Sequence, residues 1–285
     1  MLPLSSSLKT PFRRVDLDRK IKSLAAGKSI LPGSARNEWL KVLPDRMVEY
    51  LLSLLNRVLQ EGQGPSWKSA LVRLIPKDGT TIYLSGYRPI ALLDTVHKLF
   101  TSLMEDRIRA LAEQYDLFGP SQEGFRAGRS CPRQTQILKY LVERVRRAEG
   151  TAFVSYFDFS SAFDSPDHEY MIHVLEDLGF EDIDVIRLLY ADTYLQVDTQ
   201  VGVTARIPKF RGTAQGDPLS PCLFNLVIGV LLRRLVKATV GVPLDGEIRI
   251  GALAFADDLA TVTTTYTLQQ AAIRELELFE AESGM

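Results

Sequence analysis

Ile248 to Thr264 reads IRIGALAFADDLATVTT. Two apolar, β-prone runs, Ile248 to Ala256 and Leu259 to Thr264, flank the pair Asp257-Asp258, which is the pattern of a strand, a tight turn and a strand. Such a hairpin holds both carboxylates at its tip. Aspartate is a common turn residue, so the pair by itself marks only a hairpin. A second strand-like run, Ala152 to Asp158, also ends on an aspartate, and a sheet that pairs the two gathers carboxylates 99 residues apart in sequence into one cluster. Adjacent carboxylates repel, and each raises the other's pKa unless a cation lies between them. Oxygen ligands with high local negative charge suit a hard divalent ion, Mg²⁺ above all, completed by waters and substrate phosphates. Two such ions can activate a 3′-hydroxyl and stabilise a pyrophosphate leaving group in an in-line displacement.

Outward from this centre, strands and helices mix. Met47, Tyr50, Leu51, Leu54, Leu55, Val58 and Leu59 recur at helical spacing over Arg46 to Gln60, with Gly62 and Pro65 as stop signals. Ala70 to Pro76 reads as a strand entering the turn Lys77-Asp78-Gly79, and a loop follows up to Pro89. Helices are expected over Asp94 to Glu113, Arg133 to Arg147, Glu169 to Leu178, Asp184 to Tyr194, Asp217 to Val236 and Leu268 to Ala281, with a hairpin over Leu195 to Ile207. The layout is α+β, an antiparallel sheet backed by helices.

The composition, 46% hydrophobic and 24% charged over 285 residues, is that of a folded globular protein and excludes disorder and fibrous repeats. Cys131 and Cys222, with His97, His168 and His173, form neither a disulfide framework nor a four-cysteine zinc site, so a reduced, intracellular setting is expected. The longest apolar run, Leu223 to Leu232, is broken by Asn225 and Gly229 and falls short of the roughly 18 residues of a membrane span, so no membrane association is expected. The net charge of −1 conceals an asymmetry: residues 1–150 hold 25 Lys+Arg against 15 Asp+Glu, and residues 151–285 hold 9 against 20. Arg126 to Arg147 carries seven basic residues and one acid and opens on glycines, which favours contact with a polyanion.

Three ordered strings sharpen the reading. Phe157-Asp158-Phe159-Ser160-Ser161-Ala162-Phe163-Asp164, then Arg211-Gly212-Thr213-Ala214-Gln215-Gly216-Asp217-Pro218-Leu219-Ser220-Pro221, then Phe255-Ala256-Asp257-Asp258, resemble motifs A, B and C of reverse transcriptases. The resemblance is greatest to the non-LTR retrotransposon branch. Trp67-Lys68, Ile75-Pro76-Lys77, Tyr87-Arg88-Pro89-Ile90 and Gln122-Glu123-Gly124-Phe125-Arg126-Ala127-Gly128-Arg129-Ser130 are similar to the fingers blocks of that branch, and Gly27-Lys28 to Leu40 resembles a degraded version of its opening block, with Ser34 after Pro32-Gly33 in place of the family's aspartate.

The resemblance implies a polymerase right-hand fold. Residues 1–150 would hold an N-terminal extension, the fingers and the first palm helix, and residues 151–285 the palm with motifs A, B and C. The match breaks off near Glu282-Ser283-Gly284-Met285, about where a further palm block would begin, so the thumb is expected to be absent and the palm to be truncated at its C-terminal side. It also implies RNA-templated DNA synthesis from dNTPs on a DNA primer, with two Mg²⁺ ions and Mn²⁺ as a substitute. Asp158 and Asp257 would be metal ligands, Asp258 would add field and transient metal ligation, and the main-chain carbonyl of Phe159 would complete one site; the three aspartates would be the catalytic residues. Phe163 falls at the steric gate against a ribose 2′-hydroxyl, Gln215 and Gly216 in the nucleotide pocket, and Lys77 and Arg88 at the triphosphate. Arg126, Arg129 and Arg133 would meet nucleic-acid backbone.

His168 and Cys222 read as structural, and Cys131 receives no role. The rival reading, a non-catalytic, maturase-like RNA-binding relic, would be favoured by loss of the acids, all of which are present. An RNA-dependent RNA polymerase usually has glycine before Asp-Asp and no aromatic gate, whereas this sequence has Ala256 and Phe163.

Overall fold

The computed structural model describes residues 7–61, 67–77, 83, 86–119, 121–239, 241–245 and 248–285. The elements in sequence order are α1 (Arg14–Ser23), α2 (Asn37–Lys41), α3 (Asp45–Glu61), β1 (Ser69–Pro76), β2 (Tyr87–Leu92), α4 (Thr95–Gln114), α5 (Cys131–Arg147), β3 (Phe153–Phe157), α6 (His168–Asp177), α7 (Asp184–Tyr190), β4 (Tyr194–Thr199), β5 (Gly202–Val203), β6 (Ile207–Pro208), α8 (Ser220–Thr239), β7 (Val242–Asp245), β8 (Ile248–Ile250), β9 (Ala252–Phe255), β10 (Asp258–Thr263) and α9 (Tyr266–Ser283). The expected stops Gly62 and Pro65 and the expected turn residues Asp78-Gly79 lie outside the described residues.

The protein forms two compact units, each built from two stretches of the sequence. One comprises Met1–Ala110 with Leu175–Ser220, the other Leu111–Val174 with Pro221–Met285. Strands distant in sequence pair within each unit, so each unit needs two segments. The charge asymmetry shrinks accordingly: the first unit holds 22 Lys+Arg against 18 Asp+Glu and the second 12 against 17. The basic α5 segment folds in the same unit as the three aspartates.

In the first unit, β1 pairs antiparallel with β2 and parallel with β4, and β5 and β6 pair antiparallel with β4. That sheet is therefore mixed rather than antiparallel throughout. Tyr87–Pro89, expected as loop, belongs to β2, because Pro89 opposite Leu74 sits on a strand edge that has no further partner in the sheet order. Helix α3 turns Val48, Leu51, Leu55, Val58 and Leu59 inward, while Met47 and Tyr50 stay exposed. The apolar stripe is thus rotated from the expected one. Asp94 caps α4, accepting from the backbone N–H groups of Val96 and His97 at 2.8 and 3.1 Å. Trp67 stacks on His97 at a centroid distance of 5.3 Å, and Phe12 meets Phe100 edge-on at 5.6 Å.

In the second unit, β3, β10 and β9 form an antiparallel sheet in that order. The expected single strand from Ile248 breaks at Gly251, where a Cβ would fall 2.0 Å from the Thr239 hydroxyl oxygen. Leu141 and Val145 of α5 pack with Leu253 and Val262 of the sheet. Helix α9 is capped by Thr265, which accepts from Leu268 N–H at 3.2 Å, and ends at Gly284 with φ +72. Cys222 is fully buried in α8, as a small apolar residue would be. No helix among the described residues is long and apolar enough to cross a membrane.

Candidate active site

Phe255 of β9 pairs with Asp258 of β10, which leaves Ala256 and Asp257 as a two-residue turn. Beside it, Leu259 of β10 pairs with Phe157 of β3, so Asp158 follows directly at the end of the neighbouring strand. This pairing is what brings the three aspartates together. Asp158 and Asp258 line one cavity of about 270 Å³, whose wall includes Tyr156 and Phe255. Burial pushes the Asp257 carboxyl above the usual carboxylate range; its own backbone N–H opposes the shift, and the charges of Asp258 and Asp158 add to it.

Among the described residues, no group of three or more His, Cys, Asp or Glu side chains forms a ready-made metal cage. Mg²⁺ commonly uses one or two carboxylates and takes the rest of its ligands from waters and substrate phosphates. The donor set fits a divalent cation that is completed by substrate. The Phe159 side chain is buried, edge-on to Phe279 at 6.3 Å, which fixes the residue that follows Asp158.

The turn is held by residues of the block Gln122 to Ser130, to which the sequence reading gave no part in positioning the aspartates. Ala256 has φ +57, a left-handed conformation costing roughly 1–2 kcal/mol for a residue with a Cβ. The fully buried Gln122 amide clamps it, accepting from Ala256 N–H at 2.8 Å and donating to Ala256 C=O at 3.1 Å. The same Gln122 oxygen accepts from Gly124 N–H at 2.8 Å, and Asn225 donates to Gly124 C=O at 2.8 Å. A Cβ on Gly124 would lie 2.2 Å from Ala256 N. Residues 121–123 bond to β9 through Ala254 N–H to Ser121 C=O and Glu123 N–H to Ala254 C=O, each at 2.9 Å. The available signal is the resemblance of Gln122 to Ser130 to a family block, with a glycine at its third position, although nothing local names the backbone that Gly124 approaches.

Phe163 lies in a short 3₁₀ turn, Ala162–Asp164, entered through Ser161 at φ +53. Its ring stacks on Phe224 at 4.6 Å and meets Phe125 edge-on at 5.8 Å. Asp158, Phe159, Phe163, Asp257 and Asp258 thus all belong to the second unit.

Lys77, Arg88, Gln215 and Gly216 belong to the first unit. Lys77 follows β1, its N–H donating to Gly86 C=O at 2.7 Å, and Arg88 is exposed on β2 opposite Ile75. Both leave the same end of the β1–β2 pair. Gln215 C=O accepts from Ala91 N–H at 2.8 Å, and a Cβ on Gly216, whose φ is +121, would lie 2.7 Å from Ala91 C=O. Only glycine permits that approach to β2.

Of the three arginines expected on nucleic acid, Arg126 is corrected. Its side chain is 3% exposed, and its guanidinium donates to Glu113 at 2.6 and 3.0 Å and to the carbonyls of Gly119 and Gln122 at 2.9 and 3.1 Å. A guanidinium enclosed in this way reaches no phosphate. Arg129, partly exposed, bonds Glu123 at 2.8 Å, and Arg133, about half exposed, lies 3.7 Å from the same carboxylate. Arg126→Met is expected to cost about 3 kcal/mol in urea unfolding, since it strands a carboxylate and two carbonyls. The salt dependence of nucleic-acid binding should stay unchanged; a slope reduced by about one phosphate contact would return Arg126 to the interface.

Residues 75–285 match the family described as reverse transcriptase (RNA-dependent DNA polymerase). The sequence is 29% identical over 240 residues to the Pol polyprotein of the type-1 retrotransposable element R2 of Nasonia vitripennis, covering 83% of this protein and 23% of that one. It is 26% identical to a 149 kDa protein of transposon TX1 of Xenopus laevis, over 97% of this protein and 21% of the other, and 25% identical to the RNA-directed DNA polymerase of the mobile element jockey of Drosophila melanogaster, over 94% and 28%. The 285 residues therefore span about a quarter of the length of these non-LTR retrotransposon relatives. Among solved structures, apo telomerase from Candida tropicalis superposes with a TM-score of 0.51 at 13% identity, over 85% of this protein and 47% of the other. Telomerase from Candida albicans gives 0.50 at 13%, over 78% and 41%. The protein belongs to the reverse transcriptase family and has its polymerase right-hand fold.

Proposed function

We propose that this protein holds the catalytic centre for RNA-templated DNA synthesis, transferring nucleotides from dNTPs to the 3′-hydroxyl of a DNA primer. The observation that supports it most directly is the antiparallel pairing that places Asp158, Asp257 and Asp258 at one end of one sheet. Two bound Mg²⁺ ions, or Mn²⁺ in their place, would supply hydroxyl activation and leaving-group stabilisation. Asp158 and Asp257 would hold the cations, with Asp258 adding field and the Phe159 carbonyl a further oxygen. Lys77 acts as a point charge and Arg88 as a planar fork on the triphosphate. Gln215 and Gly216 bound the nucleotide pocket, and Arg129 and Arg133 meet the nucleic-acid backbone. Residues 1–150 and 151–285 correspond in this reading to the fingers side and the palm. Positioning and electrostatic stabilisation supply nearly all of the catalysis.

The test is extension of a DNA primer on an RNA template with and without Mg²⁺, comparing dNTPs with rNTPs. Mg²⁺-dependent incorporation of dNTPs is expected. RNA binding with no incorporation under any divalent cation would instead support a non-catalytic RNA-binding protein. Phe163→Val should raise rNTP incorporation efficiency by about tenfold or more, because a ring that excludes a hydroxyl does so by steric overlap, and each tenfold corresponds to about 1.4 kcal/mol. An unchanged preference would remove Phe163 from the gate.

A further inference from the structure

We infer that Phe125 determines sugar selectivity by bracing the Phe163 ring, an inference that rests on reading Phe163 as the gate. A steric gate discriminates only as well as it resists displacement. If the ring can swing aside, a ribose is admitted. Phe163 has an aromatic neighbour on two sides: Phe224 stacks at 4.6 Å with planes 24° apart, and Phe125 meets it edge-on at 5.8 Å and 83°. Phe224 is fully buried in α8 and forms a fixed wall. Phe125 is the opposite kind of residue, 46% exposed.

An aromatic ring left half in water calls for an explanation, and the backbone supplies one. Phe125 has φ +57, a conformation unfavourable for a bulky side chain. It persists because both flanking residues are fixed. Gly124 is pressed on the Ala256 backbone and bonded by Gln122 and Asn225, and the buried guanidinium of Arg126 is tied to Glu113, Gly119 and Gln122. Strain held by over-determined neighbours is characteristic of functional positions. Here it aims one ring at Phe163 from the segment that also clamps the Asp257 turn. Phe125 is therefore a positioning residue, acting on the sugar through Phe163.

The test is single-nucleotide incorporation by the 285-residue protein with a matched dNTP and rNTP, read as the ratio of their kcat/KM values. Phe125→Ala should lower the dNTP preference by about three- to tenfold, chiefly by raising rNTP efficiency, with dNTP efficiency within about twofold; these ranges match the loss of one aromatic pair. Phe125→Tyr, which keeps the ring, should restore the preference. In a Phe163→Val background, Phe125→Ala should have no further effect. A ratio unmoved by Phe125→Ala while Phe163→Val lowers it would overturn the inference, as would an equal drop from Phe125→Ala with Phe163 already removed. If Phe163→Val itself leaves the ratio unchanged, it is the gate reading that fails, a result distinct from both. Because Phe125 is half exposed, its variants should melt within a few degrees of wild type, which keeps the ratio interpretable.

Discussion

Asp257→Asn should abolish template-directed incorporation, by about 10³-fold or more, while leaving the fold intact. In the proposed mechanism the loss follows from removing an anionic oxygen from a cation site, where Lewis-acid stabilisation supplies several kcal/mol. Stability should move the other way. The Asp257 carboxyl is held above its ordinary range by burial and by the charges of Asp258 and Asp158. A carboxyl whose folded pKa is raised adds stability while protonated, and that contribution is lost as pH rises through its titration range. At neutral pH without metal the ionised group is therefore a burden that asparagine lifts. The variant should melt slightly above wild type at neutral pH and converge with it in acid. Mg²⁺ should raise the melting temperature of wild type and not of the variant. Differential scanning fluorimetry across pH, with and without Mg²⁺, reads all of this, and incorporation that survives the substitution would refute the metal assignment.

Gly124→Ala should be nearly as damaging by a route that touches no catalytic atom. The new Cβ would sit 2.2 Å from Ala256 N and 2.8 Å from Ala256 Cα. Both are backbone atoms in a turn gripped by Gln122, so nothing there swings away to make room. Either residues 122–126 or the Asp257 turn must move by about an ångström, and a displacement of that size at a reacting centre costs about 10²-fold in rate. Overpacking adds about 1–3 kcal/mol of destabilisation, a few degrees of melting temperature for a protein of this size. Gly128→Ala is the control: its φ is +71 but no atom lies within 4 Å of the added Cβ. It should lose roughly 1–2 kcal/mol from the left-handed backbone and keep its incorporation rate. Equal activity in the two variants would show that the close approach at Gly124 does not position the turn.

Much of this architecture is legible from periodicity. The strand-turn-strand around Asp257-Asp258, the strand ending at Asp158 and the helices flanking them follow from local apolar spacing and turn residues, because such elements are set by contacts a few residues apart. The places where expectation and structure differ share a cause. Spacing puts Met47 and Tyr50 on the stripe of α3, but spacing alone does not say which of several overlapping apolar faces meets the core. Part of the strand Tyr87–Leu92 reads as loop because Pro89 is a strand breaker everywhere but on an edge, and edges are defined only by partners. The run from Ile248 breaks at Gly251, where the lack of a Cβ lets Thr239, 12 positions earlier, lie against the backbone.

The amino-acid sequence by itself determined the family to which the protein belongs and named Asp158, Asp257, Asp258 and Phe163 as the residues of the proposed reaction, because motif chemistry is written in residue types at short spacing. Only the tertiary structure decided how each arginine is held: Arg126, Arg129 and Arg133 are alike in sequence, but Glu113 and two carbonyls enclose the first, while the partly exposed Arg129 and the half-exposed Arg133 share Glu123. It likewise decided that Gln122, Gly124 and Asn225 support the Asp257 turn and that Phe125 faces Phe163. The contacts of Gln122 with Ala256, Asn225 with Gly124 and Phe125 with Phe163 join residues between 38 and 134 positions apart in the sequence. Burial and hydrogen bonding at such separations depend on pairing across a sheet, and no local pattern encodes which partner arrives.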